Sequence, residues 1–129
     1  MKELVQTSIA PWITVSNAEA TADFYKQAFA AIETYRLETP DGGLVLKLDI
    51  GAAQLWLSSE APGNDNKETP PTFNSTIRMI LTVADPDTVF AKAIAAGATE
   101  IFPVGEDYGW RLGRIQDPFG LHWEIGHEL

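Results

Sequence analysis

The stretch G-W-R-L-G-R-I-Q-D-P-F-G-L-H-W-E-I, from Gly109 to Ile125, carries the clearest structural pattern in this 129-residue chain. Within it, D-P-F-G from Asp117 to Gly120 is typical of a type I turn, with proline second and glycine last. The residues on both sides are rich in strand formers, which predicts strands over 111–116 and 121–125. The stretch therefore predicts strand, turn and strand, with Glu124 on the second strand.

The same order of strands and helix is predicted in each half of the chain. The strands of the first half are predicted at 9–15, 31–38, 44–50 and 53–57, and those of the second at 76–83, 100–104, 111–116 and 121–125. In the first half a helix over 18–29 follows Asn17 as its N-cap. In the second, Asp85 caps a helix that begins at Pro86 and stops at Gly97. Each half is therefore β-α-β-β-β.

One sequence offset relates the two halves. The position numbers of the caps Asn17 and Asp85 differ by 68 (85 − 17), and so do those of the fourth-strand residues Trp56 and Glu124 (124 − 56). An offset shared from helix cap to last strand indicates an internal repeat. A chain of this length buries one core rather than two. We therefore predict one domain of two modules, about 8–57 and 75–127, joined by a Pro-rich linker over 58–74.

Composition limits the classes of partner. Hydrophobic residues make up 45% of the chain and charged residues 21%. This balance is typical of a globular protein. The net charge of −9 argues against binding to nucleic acid or to anionic lipid. The absence of cysteine excludes disulfides and thiolate chemistry. No signal peptide or transmembrane stretch is visible, so a cytoplasmic protein is the expectation.

The hairpin around Asp117 resembles the closing hairpin of vicinal-oxygen-chelate proteins, the glyoxalase/bleomycin-resistance/dioxygenase class. Its D-P-x-G-x-x-x-E core is close to a signature of that family, and the preceding G-R is similar to the PhnB-like and glyoxalase-like branch. The pattern V-x-N-x-x-x-x-x-D-F-Y-x-x-x-F from Val15 to Phe29 resembles the family's first helix. The resemblance covers essentially the whole chain. It implies an α+β fold in which the curled sheets of two βαβββ modules form an incomplete barrel around a cleft.

Proteins of this family usually hold a divalent metal in the cleft, and the resemblance carries the four ligand positions onto Ala10, Trp56, Arg78 and Glu124. Ala10 has no donor atom, the Trp56 nitrogen donates a hydrogen bond, and Arg78 is a permanent cation. Only Glu124 matches, whereas a catalytic metal normally takes about three protein ligands. We therefore expect no metal cofactor. The alternative is a divalent metal held by Glu124 and His122, which share one face of their strand.

Strand parity predicts which other side chains face the cleft. Trp12 and Gln54 share parity with the ligand positions, whereas Trp123 has the opposite parity to Glu124 and is expected to pack under a helix. Arg78 and Glu124 are expected to pair across the pseudo-twofold axis, either to anchor a ligand or to join the modules.

The segment from Gly105 to Gly113 is typical of a loop that closes over a ligand, and a plain surface hairpin is the alternative. Aromatic side chains in the cleft would stack on a planar ligand or take a cation on their faces; core filling is the alternative. The predicted ligand-binding residues are Trp12, Gln54, Trp56, Arg78, Tyr108, Trp110, Arg111, His122 and Glu124.

Three functions fit these features. The first is a non-catalytic protein that sequesters a small aromatic or cationic compound, as bleomycin-resistance relatives do without a metal, in clefts between the subunits of a dimer. The second is a metal-dependent glyoxalase-, epimerase- or dioxygenase-like enzyme, with Glu124 as the catalytic base. The third is an accessory domain without a ligand. The count of metal ligands favours binding, and Pro11, on a strand suited to leave its domain, favours a homodimer.

Overall fold

The structure, a computed structural model, describes residues 5–60 and 77–129. Its elements are β1 (Trp12–Thr14), α1 (Ala18–Phe29), β2 (Ile32–Glu38), β3 (Leu44–Ile50), β4 (Ala53–Ser59), β5 (Met79–Thr82), α2 (Pro86–Ala96), β6 (Thr99–Asp107), β7 (Trp110–Gln116) and β8 (His122–Glu128). The order β-α-β-β-β occurs twice, as the sequence predicts. Most of the predicted linker, from residue 61 onward, and the first residue of the predicted strand 76–83 lie outside the described residues.

Both helices have the predicted bounds, and the predicted caps lie at both starts and at the end of α2. The Asn17 side chain accepts a hydrogen bond of 2.9 Å from the Ala20 amide at the start of α1. The Asp85 carboxylate accepts one of 3.3 Å from the Thr88 amide at the start of α2, and Gly97 ends that helix at a φ of 123°. A carboxylate or amide oxygen at this position replaces the acceptor that the first turn of a helix lacks.

The strands form two four-stranded sheets, in the orders β1-β4-β3-β2 and β5-β8-β7-β6. In each sheet the first strand of the module pairs in parallel with the fourth. Trp12 lies opposite Trp56 in the first sheet, and Ile80 lies opposite Glu124 in the second. The two pairs repeat the sequence offset, since 80 − 12 and 124 − 56 both equal 68. The predicted repeat is therefore confirmed at the level of strand register.

Strand ends differ from the prediction at several places. β1 begins at Trp12 rather than at residue 9, directly after Pro11, which has no backbone N–H to donate. β6 and β7 pair as far as Asp107 and Trp110, which leaves only Tyr108 and Gly109 as a turn. The φ angles of these two residues are both positive, 50° and 83°. A two-residue type I′ hairpin requires this conformation at both positions.

The core lies between the two helices and one face of each sheet. α1 and α2 contact each other, and each also contacts strands of its own module. Trp123 of β8 reaches the first module, where its ring centroid lies 5.3 Å from Tyr25 and 4.6 Å from Phe29 of α1. Trp123 thus packs under a helix, as predicted. The most deeply buried side chains of the strands are Leu46, Leu48, Leu57, Ile115 and Ile125.

A buried carboxylate in the D-P-F-G turn joins the modules. Asp117 accepts hydrogen bonds from the Tyr25 hydroxyl at 2.6 Å and from the Trp123 indole nitrogen at 2.9 Å. It also accepts from the backbone amides of Phe119 and Leu121. Burial, followed by the charge of Asp117, raises the pKa of Tyr25 well above its usual value. The turn that the sequence indicates is therefore also an anchor for α1.

Each sheet has a second face, and no helix among residues 5–60 and 77–129 covers it. We call these surfaces the open face of module 1 and the open face of module 2. Residues at alternating positions along β3, β4, β7 and β8 point to these faces, opposite to the buried leucines and isoleucines. The positions carried over from the family, Trp56 and Glu124, are among them.

Candidate ligand-binding site

A row of four side chains crosses the open face of module 2. Ile80, Glu124, Arg114 and Phe102 are neighbours in register on β5, β8, β7 and β6. The Arg114 guanidinium lies 5.2 Å from the centroid of the Phe102 ring. This distance is within the range of a cation–π contact. We call this set the module 2 row.

Two arginines share one oxygen of Glu124. Arg78 Nε forms an ion pair with Glu124 Oε2 at 3.0 Å, and Arg114 Nη2 donates a hydrogen bond of 2.8 Å to the same oxygen. The Glu124 side chain is 14% exposed, so its carboxylate is largely removed from solvent. Such charge-assisted bonds are among the stronger hydrogen bonds in proteins.

The pairing of Arg78 with Glu124 is confirmed, but its predicted position across the pseudo-twofold axis is wrong. Arg78 directly precedes β5, and β5 is the neighbour of β8 in one sheet, so both partners belong to module 2. The predicted site residues do not include Arg114. Counting outward from the D-P-F-G turn would find it, because Gln116 pairs with His122 and Arg114 therefore pairs with Glu124.

A cavity of about 650 Å³ opens beside the module 2 row. Its walls are mostly apolar, and all of its lining residues belong to module 2. The principal lining side chains are Ile80, Phe102, Glu106, Asp107, Tyr108, Trp110, Leu112 and Glu124. Tyr108 is 93% exposed at the tip of the β6–β7 turn, which forms the outer rim. The volume is within the range of small-molecule sites.

Two other predicted site residues of module 2, His122 and Arg111, do not line the cavity. His122 lies on β8 with the parity of Glu124, opposite Gln116 and beyond the lining residues of the cavity. Arg111 lies on the helix-covered side, where its guanidinium donates to both Asp87 oxygens at 2.9 and 2.6 Å. These bonds lower the pKa of Asp87. Arg111 thus joins β7 to the start of α2 and does not line the cavity.

The predicted residues of module 1 form a separate aromatic cluster. Trp12 and Trp56 stack with their centroids 5.7 Å apart and their planes at 16°. Tyr35 packs edge-on against Trp56, and the Lys47 ammonium lies 5.3 Å from the centroid of the same ring. These four residues, the module 1 row, occupy the register positions that correspond to the module 2 row. Gln54 is exposed two residues before Trp56 on β4.

The four positions that the family resemblance carries over as metal ligands do not fit a metal here. Trp56 is covered by Trp12 and Lys47 on module 1, whereas Glu124 lies on module 2 with two guanidiniums on its Oε2. A divalent cation at Glu124 would meet two fixed positive charges. Within residues 5–60 and 77–129, no three histidine, cysteine, aspartate or glutamate side chains cluster as metal ligands.

Two βαβββ modules related by one register offset, with two helices and no closed barrel in the described ranges, define a duplicated α+β protein of the glyoxalase/bleomycin-resistance fold. The chain belongs to the Glyoxalase/Bleomycin resistance protein/Dioxygenase superfamily, whose family model matches residues 5–125. No helix in the described part of the chain is long and apolar enough to cross a membrane.

Relatives extend over nearly the whole sequence. An uncharacterised protein of Mycobacterium bovis is 36% identical over 131 residues, which cover 97% of this chain and 86% of the relative. An uncharacterised protein of Mycobacterium tuberculosis is also 36% identical, covering 97% of this chain and 76% of the relative.

Solved structures share the fold at low sequence identity. TioX from Micromonospora has a TM-score of 0.70 at 21% identity, covering 95% of this chain and 100% of that one. The fosfomycin resistance protein FosX from Listeria monocytogenes has a TM-score of 0.76 at 11% identity, with 97% and 95% covered. These similarities support the architecture and leave the ligand to be inferred from the site.

Proposed function

We propose that this protein is a small-molecule-binding protein without the usual metal site of its family, and that it sequesters an aromatic or cationic compound. The observation that carries this proposal is the apolar cavity beside a Glu124 carboxylate whose Oε2 is already bound to two arginines. Sequestration requires a cavity and specific contacts, and no reacting group.

The walls of the cavity match such a compound. Phe102 and Trp110 offer ring surfaces on which a planar body stacks. Asp107 and Tyr108 give the outer rim a carboxylate and an aromatic ring, which favour a positive group on the ligand, whereas Glu106 pairs with Arg111 at 3.4 Å. The net charge of −9 adds a weaker, long-range attraction for cations.

We further propose that the protein is a homodimer in which the module 1 row of each chain covers the cavity of its partner. Trp12 is 55% exposed and Tyr35 45% exposed on the module 1 row, and Ile80 is 63% exposed at the edge of the cavity. Apolar side chains that are exposed together on a soluble protein commonly mark a binding surface. A twofold axis brings the module 1 row of each chain to the module 2 row of the other. The two contacts are therefore equivalent, and the interface is self-complementary.

Metal content tests the metal-free part of the proposal. The protein is dialysed in turn against nickel, cobalt, zinc, iron(II) and manganese, freed of excess ion, and analysed for metal per chain. We expect less than about a tenth of an equivalent, because one carboxylate supplies too few ligands.

Glu124→Gln is the informative variant in this experiment, since it removes the single matching family ligand. Near-stoichiometric metal in the wild type that is lost in Glu124→Gln would contradict the proposal. It would favour the alternative, a metal-dependent glyoxalase-, epimerase- or dioxygenase-like enzyme that uses Glu124, and hemithioacetal isomerase and extradiol dioxygenase assays would follow.

A further inference from the structure

We propose that Arg78 and Arg114, held together by Glu124, form an anion-binding centre beside the cavity, next to the part of its wall that Glu124 and Phe102 form. The compound that the protein binds would then carry a carboxylate or a similar oxyanion on an aromatic body. This inference rests on the proposed small-molecule function and specifies the chemistry of its ligand.

The first support is the local balance of charge. Two permanent cations lie on one carboxylate, so the cluster carries a net positive charge of one. The chain as a whole has 9 basic and 18 acidic residues, so this concentration of arginine runs against its average composition. Both guanidiniums approach the same oxygen, Oε2, and a second anion would offset the repulsion between them.

The second support is the supply of unused donors. A guanidinium has five N–H donors, and Glu124 Oε2 accepts one from Arg114 and forms an ion pair with Arg78. The Arg114 Nε is buried and has no acceptor among the described residues, so one donor of this side chain is unsatisfied. The Arg78 side chain is 49% exposed and presents its remaining N–H groups to solvent. Oxyanions match such planar donor sets with two parallel hydrogen bonds.

The third support is the distribution of charge along the cavity. Arg114 and Trp110 lie four residues apart on β7, a separation of about 13 Å in an extended strand. Arg114 lies opposite Phe102, a lining residue at one end of this span, whereas Glu106 and Asp107 line the cavity at the other end. Phe102 lies against the Arg114 guanidinium at the inner end. An aromatic anion would thus bind in one orientation, with its charged group toward the arginines.

The test compares naphthoate with naphthamide, its uncharged analogue of nearly equal shape, by isothermal titration calorimetry. In the wild type we expect naphthoate to bind at least about tenfold more tightly, the usual effect of one charged hydrogen-bonding pair. In Arg114→Met the two affinities should come within about twofold of each other, while naphthamide keeps its wild-type affinity. Arg36→Met is the control, since Arg36 lies on β2 of module 1 and pairs with Glu19 and Glu33, none of which lines the cavity. The preference for naphthoate should persist in this variant.

Two results would overturn the inference in distinguishable ways. Equal affinities for naphthoate and naphthamide in the wild type would refute the anion-binding centre and leave the proposed small-molecule site standing. Absence of saturable binding for both probes would refute the proposed function, and the anion-binding centre with it. The comparison within the wild type keeps the inference testable even if Arg114→Met fails to fold, and unchanged naphthamide affinity in that variant shows an intact cavity.

Discussion

Tyr25 and Asp117 illustrate how single side chains hold the two modules in one arrangement. The hydroxyl of Tyr25, on α1, donates across the module boundary to a carboxylate of Asp117, a residue that is 3% exposed. That carboxylate also accepts from Trp123, whose ring packs on the same helix. A buried polar group that loses its partner costs more than the bond itself contributes, so each member of this network depends on the others.

Tyr25→Phe should therefore lower the free energy of unfolding by about 2 kcal/mol, the usual range for a hydrogen bond to a charged group. Urea denaturation at neutral pH measures the change. Tyr108→Phe is the control, because it removes the same hydroxyl from a side chain that is 93% exposed. It should change stability by less than about 0.5 kcal/mol, as surface substitutions usually do. Equal effects of the two substitutions would show that the bond to Asp117 contributes nothing.

The raised pKa of Tyr25 predicts a loss of stability in alkali. Below the ordinary pKa of 10.0, which the unfolded chain keeps, the hydroxyl retains its proton in both states and the contribution to stability is complete. Above that pH the unfolded chain ionises while the folded protein retains the proton, so stability falls as pH rises. Urea midpoints measured from about pH 8 to about pH 11 should fall more steeply for the wild type than for Tyr25→Phe. Parallel slopes for the two proteins would contradict this prediction.

Of the two arginines of the candidate site, the sequence predicts one and misses the other. Parity and the family resemblance identify Arg78 and Glu124, and the structure brings them together. Their predicted placement across the pseudo-twofold axis is wrong, because sequence alone does not give the neighbours of a strand. The turn at Asp117 fixes the register of Arg114 opposite Glu124. The prediction nevertheless misses Arg114, because it considers only the ligand positions of the family, and none of these lies on β7.

At the scale of helices and strands, residues with a specific conformational role predict boundaries best. Asn17, Asp85 and Gly97 predict helix ends correctly, because few residue types suit an N-cap or a positive φ at the end of a helix. Strand ends depend on pairing partners that the sequence does not name. β6 therefore continues to Asp107, past its predicted end at residue 104, because β7 pairs with it up to Trp110.

Gly113 sets the distance between β7 and α2. A Cβ at this position would lie 2.8 Å from Phe90 Cε2 and 2.8 Å from the Val104 nitrogen, closer than a real Cβ approaches without displacement. Gly113→Ala should therefore cost about 2 kcal/mol of stability through overpacking. Thermal or urea unfolding gives the value.

Gly105→Ala is the matched control for this substitution. Gly105 lies on the paired strand β6, and a Cβ there would meet nothing within 4 Å. Its replacement should leave stability within about 0.5 kcal/mol of the wild type. If Gly113→Ala were equally neutral, the close approach of α2 to β7 would not be a constraint on this fold.

At the scale of the whole molecule, duplication explains both what could be predicted and what could not. The single sequence offset predicts the two modules, and the registers of Trp12 with Trp56 and of Ile80 with Glu124 confirm it. It does not predict how the modules pack. The contact of α1 with α2, together with Trp123 on α1, leaves the two rows as separate open faces, so the predicted cleft residues fall into two groups.

The separation of these faces leads to the prediction for the proposed dimer. Trp12→Lys places a charge on the module 1 row, where the partner's cavity would contact it. We expect the free energy of dimerisation to become less favourable by about 2 kcal/mol at each of the two symmetric contacts. The dimer dissociation constant should therefore rise at least about 100-fold, which sedimentation over a range of protein concentrations measures. Gln27→Lys adds the same charge to the exposed side of α1 and should leave the constant unchanged.

Loss of the dimer should also weaken the site if the module 1 row covers the partner's cavity. In Trp12→Lys, both naphthoate and naphthamide should lose affinity, because the cover that is lost is mainly aromatic, with Lys47 as its cation. Arg114→Met should instead weaken naphthoate alone. A wild-type protein that sediments as one chain at every concentration would refute the dimer. A Trp12→Lys monomer with unchanged affinity for both probes would show that each cavity is complete within one chain.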